Sequence, residues 1–355
     1  MTWPAEIALL RDLVAVPSVS GSEAAVADLV ERTVRGWGLD VVSDAAGVRV
    51  TLDSGLPGPT LAFVSHLDVV PPGDGWTRDP WAPTVEGDRL YGRGAGDAKA
   101  SCAAMLFAAH DLARAGGPPT GRLVVLLGFE EETKRTTMPA AVAAAAPIDA
   151  AIIGEPTSLD LAVAQRGLMM VDLVARGDQR HAGYAAGETF TNAAVRLAED
   201  LVRLPSLLQD RVHPVLGVTS ATPTMLDAGI SRNVTPPVAR AVLDVRSTPA
   251  WTHAEIADAL RSALASEVVV TSERLVPCET PAGSRLLDVM SRARPSARRY
   301  GSPTCSDWVF LRDRDAVKCG PGTSRRSHTA DEYVDLPEVV EARGFYEMVA
   351  AEYLA

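Results

Sequence analysis

The 355-residue chain is poor in cysteine. It has four, Cys102, Cys278, Cys305 and Cys319, and no CxxC pair. They are too sparse for a disulfide framework and read as free thiols of a reducing cytosol. Positive charge is also scarce: 34 Lys and Arg stand against 45 Asp and Glu, for a formal net charge of -11. Nucleic-acid binding needs cationic patches that displace phosphate counterions, so this balance argues against it. No stretch reaches the ~18 apolar residues of a membrane span; the alanine-rich run Met138 to Pro147 is short and reads as a helix. Residues 1 to 6 show no basic region followed by an apolar run, so no signal peptide is read and a cytoplasmic location is expected. There is no Gly-x-Ser-x-Gly elbow, which argues against a serine hydrolase, and no internal repeat or low-complexity tail. With 47% apolar and 22% charged residues, what remains is a globular composition long enough for about two domains.

Periodicity organises the chain. Ile7, Leu9, Leu10, Leu13 and Val14 share a helical face, and a second amphipathic stretch runs from Ser22 to Gly36. Short apolar runs at 48–52, 61–65, 123–128 and 150–153 read as strands, with a long helix over 98–115. Strands alternating with helices predict a parallel sheet covered on both faces. After Gly167 the order becomes strand 168–175, helix 192–203, strands 223–227 and 239–246, helix 252–265 and strand 267–271. That β-α-β-β-α-β order is a split βαβ unit. An inserted domain at 168–274 is therefore expected within a discontinuous first domain, 1–167 and 275–355. The last segment adds a strand near Ala316–Cys319 and a helix from Pro337.

Several acidic and imidazole groups follow the strands. Strand 61–65 runs into His66-Leu67-Asp68, strand 123–128 into Glu130-Glu131-Glu132 and strand 150–153 into Gly154-Glu155-Pro156. The strand near Val317 runs into a loop that reaches His328. Ligands of open α/β sheets bind beyond the carboxyl ends of the strands, so these groups can share one crevice. Asp97 follows the glycine run Gly92 to Gly96 and could instead cap the helix from Ala98. The run does not directly follow an obvious strand, which weakens a dinucleotide-loop reading. Two histidines (His66, His328) and three carboxylates (Asp97, Glu132, Glu155) suit zinc, cobalt or manganese, and five donors suit two metals bridged by a carboxylate. Asp68 could orient His66 through its second ring nitrogen. Glu131 beside Glu132 could take a proton while its neighbour binds metal, or both could be a solvated acidic loop.

In this order the segments His66-Leu67-Asp68-Val69-Val70-Pro71, Trp76 to Pro80, Tyr91 to Lys99, Glu130 to Glu132, Gly154 to Thr157 and Ser327 to Glu332 resemble the M20 metallopeptidases and deacylases. The resemblance implies an α/β fold: a three-layer, zinc-peptidase-like catalytic domain with an inserted ferredoxin-like α+β lid and dimerisation domain. It implies Asp97 bridging two metals, usually zinc, with His66 and Glu155 on one and Glu132 and His328 on the other. Glu131 would be the general base and Asp68 the residue that orients His66. His181, in Arg180-His181-Ala182-Gly183, would polarise the substrate carbonyl across a homodimer, and Asn233 and Arg246 would bind the substrate carboxylate. His110, His213 and His253 have no such match and read as structural.

Within the family the chain resembles the acetylornithine, acetylcitrulline and acetyl-lysine deacetylase group, and the stretch Gly301 to Asp307, continued by Lys318 to Gly322, resembles the ornithine-type deacylases, including variants that take acetylated or succinylated ornithine or citrulline. The substrate implied is a small N-acyl amino acid. The chain departs from the family at Thr133-Lys134-Arg135-Thr136, where Gly and Ser are usual, at Ala100 and at His181-Ala182-Gly183-Tyr184. Competing readings are a dipeptidase or aminopeptidase, for which Arg325 and Arg326 could bind substrate, and a non-catalytic metal-binding protein.

Overall fold

The computed structural model describes residues 3–184 and 189–355. Its internal contacts divide the chain into two units. The first comprises Met1–Val163, Thr280–Tyr300 and Ser306–Ala355; the second comprises Ala164–Glu279 and Gly301–Cys305. The division falls between Val163 and Ala164, inside the strand Leu161–Gln165, a few residues before the boundary expected at 167. The return of Gly301–Cys305 to the second unit is not foreseeable from periodicity. It is tied there by the Arg166 N–H, which donates to the Ser302 carbonyl at 3.1 Å.

The first unit is built on a mixed sheet, not the wholly parallel one expected. Its strands lie in the order Asp40–Asp44, Gly47–Asp53, Arg122–Gly128, Thr60–His66, Ala150–Ile153, Asp315–Lys318 and Leu161–Gln165. The four from Arg122–Gly128 to Asp315–Lys318 are parallel. The flanking pairs are antiparallel; in the outermost, Asp40–Asp44 with Gly47–Asp53, a tight hairpin reverses the chain with no crossover helix. Gly47 has φ +129°, and a Cβ there would meet the Leu127 carbonyl oxygen at 2.3 Å.

Successive side chains of a strand point to opposite faces. In Thr60–His66 every residue is buried, so both faces of the parallel centre are covered. Leu61 and Phe63 join Leu123, Val125, Ala150 and Ile152 in one apolar core with the helices Ala5–Ala15, Lys99–Arg114 and Leu336–Tyr353. Fully burying one such side chain is worth roughly 1.5–3 kcal/mol. Ala62, Val64, Val124 and Leu126 are buried on the other face. No helix among the described residues is long and apolar enough to cross a membrane, and the four cysteines are buried and not joined in disulfides.

The second unit is a four-stranded antiparallel sheet in the order Ser220–Ala228, Val238–Ser247, Gly167–Arg176, Glu267–Leu275. With helices Ala193–Leu207 and His253–Ala263 this realises the split βαβ pattern. Met169, Val171, Leu173, Leu243, Leu197 and Ile256 pack in its core. A short hairpin, Val212–His213 with Gly217–Val218, is an addition that periodicity did not predict.

Candidate active site

The chemistry-bearing residues stand at the carboxyl ends of the parallel strands. Register sets them side by side: His66 pairs with Gly128, and Ile153 pairs with both Val64 and Lys318. The chain ends reach His66, Glu131 and Glu132, Glu155 and His328 from four different strands. His66 Nε2 lies 3.3 Å from Asp97 Oδ1 and 3.8 Å from Glu155 Oε1. His328 Nε2 lies 2.9 Å from Glu132 Oε1 and 3.7 Å from Asp97 Oδ2. Asp97 thus turns one oxygen toward each histidine.

Ligand atoms of His66, Asp97 and Glu155 lie within 4.8 Å of one another, as do those of Asp97, Glu132 and His328. Glu131 forms a third such group with His66 and Glu132, so it borders both sets. His66 Nε2 and Asp97 Oδ1 are buried without a hydrogen-bond partner. Buried polar atoms nearly always find partners, and two orphaned donors facing each other make a cradle that fits a cation. Asp97 does not cap the following helix: the cap residue is Ala98, which makes no side-chain cap bond.

Asp68 does more than the sequence suggested. His66 Nδ1 hydrogen-bonds the Asp68 backbone carbonyl at 2.9 Å, while the carboxylate stands 3.5 Å away. That carboxylate accepts instead from the Glu131 and Glu132 N–H groups at 3.0 and 3.1 Å and from Ser20 Oγ at 2.7 Å. Asp68 therefore orients His66 partly through its own backbone and fixes the loop that carries both glutamates.

Electrostatics follow from crowding acids in a buried crevice. Desolvation pushes Glu131 up to about 8, against the opposing pull of Arg135. It pushes Glu155 up to about 7, with Lys318 opposing and Asp97 assisting. The bond to Glu132 lifts His328 to about 9. Burial works against ionisation of Asp97, yet the facing imidazole of His66 outweighs it and holds it low. Burial likewise opposes protonation of His66, but Asp68 and Asp97 outweigh it and raise its pKa well above the ordinary value.

Sequence reasoning passed over four residues. Buried Glu332 accepts from the N–H groups of Gly94, Gly96 and Asp97 at 3.1, 2.9 and 3.0 Å and from Arg93 Nη1 at 2.5 Å, and so shapes the loop that presents Asp97. It lay within the segment beginning Ser327-His328, and that proximity was its only signal. Lys318 is buried beside the cluster, where its charge favours ionised Glu155 and Asp97. Asp307 is buried with both carboxylate oxygens unpartnered, and desolvation pushes it up to about 8. Arg135 Nη2 lies 2.7 Å from Glu131 Oε1.

His181, Asn233 and Arg246 all lie in the second unit. His181 and Asn233 are adjacent there: the Ala182 N–H donates to the Asn233 carbonyl at 2.8 Å, and both side chains are exposed. The Arg246 guanidinium is held by Asp244 at 2.7 and 3.0 Å. His253 bonds Ser247 Oγ and the Glu273 carbonyl, His213 accepts from the Leu216 N–H and His110 packs on Trp37, which are structural roles.

A family model described as peptidase family M20/M25/M40 matches residues 62–352. The chain belongs to this family. As an M20 protein it is a metal-dependent amidohydrolase. It is 30% identical over 383 residues to a succinyl-diaminopimelate desuccinylase of Rhodospirillum centenum, covering 99% of this chain and 98% of the relative. A desuccinylase of Phenylobacterium zucineum is 30% identical, with 98% of each chain covered. Among solved structures, an M20 family metallo-carboxypeptidase from Sulfolobus solfataricus superposes with TM-score 0.80 at 19% identity, covering 99% and 100% of the two chains. The aminopeptidase PepT of Bacillus cereus gives TM-score 0.81 at 19% identity, covering 99% and 98%. These two show that the M20 fold is shared.

Proposed function

We propose that this M20 protein hydrolyses the amide bond of a small N-acyl amino acid, with two divalent metal ions held by His66, Asp97, Glu132, Glu155 and His328. Asp97, which turns one oxygen toward each histidine, would be shared by the two ions, and zinc would suit the mixed imidazole and carboxylate donors, as would cobalt and manganese. The observation that carries the reading is Glu131. It is a buried carboxylate in excess of the ligands, it borders both donor sets, and Arg135 Nη2 stands 2.7 Å from its Oε1. A structural metal site has no use for it.

When bound, the two ions supply Lewis acidity that lowers the pKa of water and polarises a carbonyl. Glu131 accepts the proton of the attacking water and returns it to the leaving amine. Asp68 holds His66 and the Glu131–Glu132 loop in place. His181 donates to the developing oxyanion, and Asn233 and Arg246 hold the substrate's α-carboxylate, which aligns the amide.

Full-length similarity to succinyl-diaminopimelate desuccinylases supports an acyl-amino acid as substrate. The acyl group is acetyl or succinyl, and the amine is that of ornithine, citrulline, lysine or diaminopimelate, which places the reaction in lysine or arginine biosynthesis. A homodimer through the second unit is supported by its free edge strand Ser220–Ala228, with Met225 and Leu226 exposed by 67% and 65%. Val195 and Val202, two turns apart on the helix Ala193–Leu207, are exposed as well. Unpaired strand edges with apolar side chains favour pairing with a second copy.

The test is amine release from N-acetyl and N-succinyl amino acids and from dipeptides, with zinc or cobalt added and a chelated control. Chelator-sensitive release from the acyl-amino acids is the expected result. Cleavage of dipeptides alone would replace the deacylase reading with a peptidase, and no release from any of them by metal-loaded protein would remove it.

A further inference from the structure

The glycine run Gly92 to Gly96 resembles an anion-binding loop, and the structure shows what fills it. Its N–H groups converge on a carboxylate of the chain itself. Glu332 Oε1 accepts from the Gly96 and Asp97 N–H groups at 2.9 and 3.0 Å, and Oε2 accepts from the Gly94 N–H at 3.1 Å and from Arg93 Nη1. Backbone amides aimed at one point form a nest for an anion. Gly94 has φ +82°, and a Cβ there would meet Val69 Cγ1 at 2.6 Å, so the nest needs glycine at this position.

Glu332 and Arg93 are both buried, and the Arg93 guanidinium also donates to the Pro72 carbonyl at 3.1 Å and lies over Trp76. Burying a charged pair is costly and is offset only when the remaining hydrogen-bonding positions are filled. Glu332 meets that condition with four donors, all of them within residues 93–97. Its carboxylate is therefore fastened to the loop that presents Asp97.

The same residue ends the loop that carries His328. His328 has φ +63° and Asp331 φ +50°, a conformation uncommon for L residues and held where surrounding contacts impose it. Bonds from Asp331 and Glu332 fix the far end of this loop. The Asp331 carboxylate accepts from the Thr77 N–H and Oγ1 at 3.0 and 2.7 Å, on an exposed side where water competes. Glu332 is seated out of water, and its carbonyl accepts from the Gly92 N–H at 3.0 Å. The buried tie is the stronger, because little screens it.

The two donor sets thus rest on different supports. His66 and Glu155 are buried at the ends of the strands Thr60–His66 and Ala150–Ile153. The His328 side chain is 53% exposed and stands on a loop. We propose that Glu332 is a positioning residue that sets Asp97 and His328 together. The site of Asp97, Glu132 and His328 then forms only when the Glu332 carboxylate is seated in the glycine nest, while the site of His66, Asp97 and Glu155 depends on it less. This rests on the two-metal reading above and adds to it the residue on which the second ion depends.

The experiment is calorimetric titration of the metal-free full chain with zinc in the wild type, Glu332→Gln and Glu332→Asp, with thermal melts of each metal-free protein. The wild type should take up two ions. Glu332→Gln keeps the shape but turns an amide donor toward other donors. The second ion should weaken by about 10–100-fold, the range for loss of a supporting partner, and the first should change less. Glu332→Asp keeps a charge opposite Arg93 and so retains the fold even if Glu332→Gln does not. It falls one methylene short of the nest and should show the same inequality. A role in the fold alone would lower the Tm without separating the two ions. Selective weakening of the second ion in either variant upholds the inference; equal weakening of both ions, or no change in either, overturns it. Fewer than two ions in the wild type would overturn the two-metal reading and the inference with it, whereas two ions there and no selective loss in the variants would overturn the inference alone.

Discussion

The two units hold their functional side chains in opposite ways. In the first, His66, Asp68 and Glu131 are buried, and each is braced by backbone or by another charged group. In the second, His181 and Asn233 are exposed and held by local bonds within one loop pair. A crowded, desolvated crevice stores large electrostatic interactions, because water cannot screen them. Exposed groups on a small antiparallel domain act only when something is brought to them. Damage to the first unit should therefore register in metal content, pH dependence and turnover together. Damage to the second should register in turnover with the metal centre intact.

The sharpest division lies inside the first unit. Glu131→Ala should lower kcat by ~10³-fold or more, the loss expected for a general base in a preorganised site, with metal content by atomic absorption close to wild type. Retention of most of the rate would reassign the base. His181→Ala should lower kcat by ~10²-fold, as for loss of one oxyanion donor, again without loss of metal. If His181 serves the neighbouring copy, mixing this variant with Glu131→Ala should restore activity. No recovery after verified subunit exchange would place His181 in its own chain's reaction or outside it.

Asp68→Ala tests the bracing. It removes one acceptor from three donors, two of them the N–H groups of the residues proposed as base and ligand. Bonds to a charged acceptor are worth ~1.5–3 kcal/mol each, and loss of such supporting partners costs ~10–100-fold in metal affinity. Metal titration of the variant against wild type decides. Unchanged affinity with lowered kcat would mean that Asp68 serves only the Glu131 side of the loop.

pH separates the units again. In the metal-free chain burial pushes Glu155, Glu131 and Asp307 up to about 7, 8 and 8, above the ordinary carboxylate range. Their raised pKa values make the folded chain bind more protons than the unfolded one. Its stability falls as pH climbs through those values, and His328 adds to the fall up to about 9. Metal ligation needs the deprotonated forms. The rise in Tm on adding zinc should therefore be larger at pH 8.5 than at pH 6, and calorimetric loading should release protons. Equal rises at both values would locate the bound metal away from this cluster.

Legibility in the sequence divides along a related line. Strands and helices of both units were readable because their apolar periodicity is strong: Leu61 to Val64 is a continuous apolar run within the buried strand Thr60–His66, and the burial of Gly167–Arg176 nearly alternates. His66, Glu132 and Glu155 were readable because each stands at or just beyond the end of such a strand, whereas Asp97 and His328 lie farther out on loops and were read from their segments. The antiparallel flanks of the first sheet were not, since periodicity reports burial and not direction. Glu332 and Lys318 escaped because a buried charge looks like a surface charge until its partners are placed by the fold. Asp68 shows the same limit: its spacing from His66 pointed to the imidazole, while its carboxylate accepts from a loop 63 and 64 residues away.

The smallest effect is the cleanest probe of independence. The helix His253–Ala263 begins with a capping box: Thr252 Oγ1 accepts from the Glu255 N–H at 3.2 Å, and Glu255 Oε2 accepts from the Thr252 N–H at 2.8 Å. Thr252→Ala leaves one helical N–H unsatisfied and should cost ~1 kcal/mol. That cost falls on the second unit alone, at a site exposed to water and unconnected by hydrogen bonds to any residue proposed for chemistry. Chemical denaturation followed by far-UV CD should show the loss, with metal content and kcat unchanged. Were Thr252→Ala to lower metal content as well, the first unit's centre would depend on the second unit's stability, and the contrast between them would be one of exposure only.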